Sequence, residues 1–144
     1  PIGANMGILK KTLENVGGFN TKLGRSKKNL MGGEEKDLFN RIKNRGGKIY
    51  WFPNIKVQHV ISENRTTNSY IIRLGQGVGI SERLRTLDIS QTEYLKRIFL
   101  EAVKWAASIV LFIGYLCRFQ WQKGAKLLLF RWNVTKGLLG QNSE

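Results

Sequence analysis

The chain has 144 residues, 42 % of them hydrophobic, and a mean hydropathy of -0.27, enough for one domain with its own core and too apolar for a disordered chain. Lys and Arg number 24 against 10 Asp and Glu, a formal charge of +14, so the partner is anionic: a nucleic acid, a phosphate-bearing substrate or a membrane surface. One cysteine, Cys117, and one histidine, His59, exclude an intrachain disulfide framework and a Cys/His zinc cluster.

In chain order, Pro1 to Met6 shows no signal-peptide pattern and reads as a start in mid-domain, with an N-terminal half expected upstream. Ile8, Leu9, Leu13 and Val16 form a helical stripe over residues 6–16 that stops at Gly17-Gly18. Residues 19–33 have no periodic pattern and read as a surface loop long enough to be functional. A second helix is expected from Glu34 to Asn44, ending at Gly46-Gly47. Lys48 to Phe52 and Ile55 to Val60, separated by Pro53-Asn54, have the character of two strands, the second closing on His59.

The stretch 62–90 turns basic and polar and predicts a loop and then a helix from about Asn68. Its glycines Gly75, Gly77 and Gly79 do not make a dinucleotide or P-loop signature. Ile98 to Cys117 is apolar apart from Glu101 and Lys104, and its uninterrupted part, Trp105 to Cys117, has 13 residues. Crossing a bilayer takes roughly 20, so an interfacial or re-entrant helix is expected. Trp121 to Leu139 mixes Leu, Phe and Trp with Lys123, Lys126, Arg131 and Lys136, a composition suited to an anionic membrane surface.

Acids are scarce, yet Glu34, Glu35 and Asp37 fall within four positions at the start of a helix, just after two glycines. Matching the positive end of the helix dipole accounts for acids there. The sharper reading, which the surrounding residues favour, is a carboxylate held ready to take a proton from a substrate hydroxyl.

Four pieces occur in order: Gly3-Ala4-Asn5-Met6, Val16-Gly17-Gly18-Phe19-Asn20, Gly33-Glu34-Glu35-Lys36-Asp37-Leu38 and Val57-Gln58-His59. Together they resemble the second half of the family 2 glycosyltransferases and cover roughly residues 1 to 90. The resemblance implies an α/β fold, with residues 1–90 the acceptor-side half of a GT-A (Rossmann-like) domain and residues 91–144 a helical, membrane-associating tail. It implies an inverting transferase that moves a sugar from a nucleotide-sugar donor to a hydroxyl of a glycan or lipid-linked acceptor, at the cytoplasmic face of the inner membrane. Glu35 takes the place of the family's general base, one methylene longer than the usual Asp, with Glu34 beside it as helper.

By the same resemblance Gly3, Ala4 and Asn5 approach the substrate, although Asn5 also suits a helix cap, and Asp37 organises the loop or helix. Arg65, Tyr70 and Arg73 match positions that close over the diphosphate, where the planar guanidinium suits phosphate oxygens. His59 would help hold a divalent cation, Mn or Mg, whose main ligands in the family come from an Asp-X-Asp motif that this chain lacks. Nucleic acid is not an expected partner, since no helix-turn-helix, RNP-like or zinc pattern occurs. The competing expectation is a non-enzymatic basic module that binds anionic membrane or nucleic acid.

Overall fold

The two longest helices of the chain start where a hydroxyl side chain meets a free amide of the first turn. The computed structural model describes residues 5–25 and 30–141, and in them α1 spans Lys10–Asn15, α2 Glu34–Asn44, α3 Asn68–Leu87, α4 Gln91–Cys117 and α5 Trp121–Leu139. Thr67 Oγ1 caps α3 by accepting from the Tyr70 amide at 3.2 Å, and Ser90 Oγ caps α4 by accepting from the Glu93 amide at 3.1 Å. A 3-10 turn, Glu63–Thr66, leads into α3. The acidic helix and α5 lie where the sequence places them, and α1 is shorter than its apolar stripe.

The fold class is a correction. The expected α/β, GT-A-like architecture is absent, because the described residues hold no strand and no sheet. Residues 47–61 carry the apolar and aromatic composition of strands, but a strand needs a neighbour for its amides and carbonyls. None of the described residues offers one, and the segment runs as exposed loop, with Trp51 78 % and Val60 89 % accessible.

Two packed regions remain. In the first, Val16, Leu38 and Ile42 are buried together, with Ile8, Leu13 and Phe39 against them, so α2 docks on the end of α1. Arg41 secures the junction: it pairs with Asp37 at 2.8 Å and donates to the carbonyl of Gly18 at 2.7 Å and to that of Val16.

The second region is α3, α4 and α5. Gly75 lies on the level of Phe130 and Asn133, and Gly79 on the level of Val134 and Gly137, so α3 and α5 run parallel. Their backbones touch there: a methyl built at Gly79 would overlap the Val134 carbonyl, and one at Gly137 would overlap that of Gln76. Only glycine permits so close an approach. Helix α4 runs antiparallel to both, tied to α5 by Tyr94 Oη donating to the Leu138 carbonyl at 2.9 Å and by Trp105 Nε1 donating to Thr135 Oγ1 at 2.8 Å.

The apolar segment also differs from expectation. The 13-residue stretch from Trp105 is the second half of a 27-residue helix, and α4 is long and apolar enough to cross a membrane.

Candidate functional site

The acid cluster is built on the turn that opens α2. Gly33, the residue before the helix, has φ 95°, a left-handed conformation that glycine adopts without strain, and no side chain caps the first turn. The chain ahead of it is moored to α3, since the Gly32 amide donates to Ser81 Oγ at 3.0 Å and Ser81 Oγ donates on to the Gly77 carbonyl at 2.7 Å. Lys36, two residues into the helix, reaches across to Glu82 at 2.7 Å.

The three acids then part company. Asp37 is neutralised by Arg41. Glu34 folds back against the glycines, its carboxyl carbon 3.6 Å from where a Cβ on Gly24 would stand, and its Oε2 is buried with no donor. Glu35 is half-buried and, among the described residues, has neither an ion pair nor a hydrogen bond. Glu63 and Asp88 also have no ion pair among the described residues, but Glu34 and Glu35 are the two such carboxylates that stand side by side. They also stand where backbone amides at a helix N-terminus favour negative charge.

The remaining predicted residues are dispersed. Gly3 and Ala4 lie outside the described residues. Asn5 is engaged elsewhere, its Nδ2 donating to the Ile55 carbonyl at 3.1 Å. His59 is exposed in the loop after it, and no group of three His, Cys, Asp or Glu among the described residues could hold a metal ion. The residues present therefore do not fit the divalent cation that the resemblance implies. Arg65, in the 3-10 turn, and Arg73, in the second turn of α3, are exposed and make no ion pair among the described residues, with Tyr70 half-buried between them. Arg73 precedes Ser81 by eight residues, about 12 Å along the axis of α3. The basic group thus stands on and before α3, about two turns from the point where the turn that opens α2 is moored.

Sequence reasoning missed the charged layer that holds these parts in place. Glu82, on α3, accepts from Lys36, from Arg85 at 2.9 Å and from Arg97 at 3.0 Å. Arg97 also pairs with Glu101 at 2.8 Å, and Glu101 accepts from Arg131 at 3.1 Å, so α2, α3, α4 and α5 share one chain of buried ion pairs. Burial by itself would push the Glu82 carboxyl up. The hydrogen bonds and charges of Arg85 and Lys36 outweigh it and hold the group down at about 2, against an ordinary 4.5. The signal was present: Glu82 is the one acid in the basic run from Arg73 to Arg85, and Glu101 the one acid in an apolar run.

No protein-family model, no curated protein and no solved structure matches the chain.

Proposed function

We propose that this chain serves an inverting sugar transferase working at an anionic membrane surface, with Glu35 as the base that activates the acceptor hydroxyl. The observation that carries the reading is the unpaired Glu34–Glu35 pair at the open start of α2, in a chain where Asp37, Glu82 and Glu101 are all neutralised by arginine or lysine. The resemblance to family 2 glycosyltransferases supports the activity through these same residues.

The reaction is a single displacement. Glu35 takes the proton from the acceptor hydroxyl, the acceptor oxygen forms its bond to the anomeric carbon, and the bond from that carbon to the diphosphate oxygen breaks on the opposite face. The electron pair leaves with the nucleotide diphosphate, and the anomeric configuration inverts. A carboxylate of ordinary basicity suffices when the hydroxyl is held in line. Arg65 and Arg73 supply unpaired cations for the departing diphosphate. No step is routed through a metal ion, since the described residues gather no ligand set for one.

Placement at the cytoplasmic face of the inner membrane rests on α4, on the tryptophans and lysines of α5 and on the net charge. The test is turnover of a panel of nucleotide sugars by the protein, with the product anomer assigned by NMR. An inverted product is expected. A retained configuration overturns the single displacement, and absence of turnover with salt-sensitive binding to nucleic acid favours the basic-module alternative.

A further inference from the structure

Helix α4 is polar inside and apolar outside. Its buried residues are Arg97, Glu101 and Ser108, all turned toward α3 and α5. Opposite them, Leu95, Phe99, Val103, Ala106, Val110 and Ile113 recur at steps of three and four residues and form one face along most of the helix. Cys117 closes the same row. The large side chains of that row are 52 % to 70 % exposed. Water is a poor neighbour for so long an apolar stripe, and monomeric proteins rarely leave one uncovered.

We infer that the outer face of α4 beds in one leaflet of an anionic phospholipid bilayer, lying in the plane of the interface with α3 and α5 above it. This deepens the membrane placement proposed above and rests on it. Three features choose this occupant. The cations Arg118, Lys123 and Lys126 are exposed at the α4–α5 turn, and the chain as a whole is at +14, so the helix arrives with charge for lipid phosphates. Trp121 at the same turn is exposed, and an indole ring with its polar N–H edge prefers the headgroup level, with the exposed Phe119 beside it. Spanning is disfavoured by α5, which returns alongside α4 after a three-residue turn and would carry Lys123, Lys126 and Arg131 into the hydrocarbon.

The lone cysteine provides the test, because it is free, exposed and on the apolar row. The full chain is labelled at Cys117 with a bimane and mixed with vesicles of phosphatidylglycerol and phosphatidylcholine, or of phosphatidylcholine alone. The expected result is a blue shift on the anionic vesicles that salt reverses, with quenching stronger from a nitroxide high on the acyl chain than from one at its end. Phe99→Asp and Val110→Asp should each weaken vesicle binding about tenfold or more while helical circular dichroism is kept.

An unshifted label on both vesicle types overturns the inference. So does protection of the label by self-association without lipid, which makes a second copy the occupant. Reaction of Cys117 with an impermeant thiol reagent trapped inside the vesicles overturns it in favour of spanning. The vesicle result is independent of Glu35, so loss of the transferase reading would leave it standing, and the reverse holds too.

Discussion

At the scale of single residues, charge pairing separates structural acids from the candidate chemical ones. Glu82 touches three cations, and replacing it with Gln strands Arg85 and leaves Arg97 with Glu101 alone, so Glu82→Gln should cost about 3–5 kcal/mol in chemical denaturation. Its lowered carboxyl also sets a pH dependence. The stability it contributes is complete above the unfolded value of 4.5 and is lost as pH falls through that value toward about 2. Between those limits the melting temperature of the parent should fall more steeply than that of Glu82→Gln; parallel curves would show that Glu82 is not held ionised by its neighbours.

The acids of α2 were legible in the sequence as a cluster, by their rarity, and their separate fates were not. Which carboxylate meets Arg41 and which meets glycine is decided by the 100° step of the helix and by a loop whose path has no periodic signature. Asn5 and His59 illustrate the limit: both read as site residues, yet Asn5 bonds the Ile55 carbonyl and His59 lies in an exposed loop.

At the scale of elements, the glycines of α3 change meaning. Read as interruptions of a pattern, Gly75 and Gly79 instead form the surface on which α5 rests, and a helix with small residues on its contact face shows little apolar periodicity to find. Gly79→Ala gains about 1 kcal/mol in helix propensity. It must also push two backbones apart, at about 1–3 kcal/mol or more, so a net loss of stability is expected by thermal melting. Gly114→Ala is the matched control, because nothing lies within 4 Å of its added methyl and α4 should gain up to about 1 kcal/mol. Equal effects at the two sites would contradict the close contact of α3 and α5.

At the scale of the whole molecule, helices were readable and architecture was not. The starts of α3 and α4 are set by the local caps Thr67 and Ser90, and local signals are what a single sequence carries. A sheet is a non-local agreement among segments. Residues 48–52 and 55–60 have strand character, and with no partner strand among the described residues they stay exposed. The length of α4 was underestimated for the opposite reason: Glu101 and Lys104 break the apolar run in sequence, while Glu101 is neutralised inside the bundle by Arg97 and Arg131 and the helix continues.

The account stands most directly on Glu35, and the decisive measurement is single-turnover transfer by the protein, comparing parent, Glu35→Gln and Glu34→Gln on the donor that the parent uses. Loss of the base should lower the rate in Glu35→Gln by about 10²–10⁴, with helical circular dichroism and nucleotide binding unchanged and Glu34→Gln affected less. A Glu35→Gln protein that transfers sugar at the parental rate would contradict the central claim.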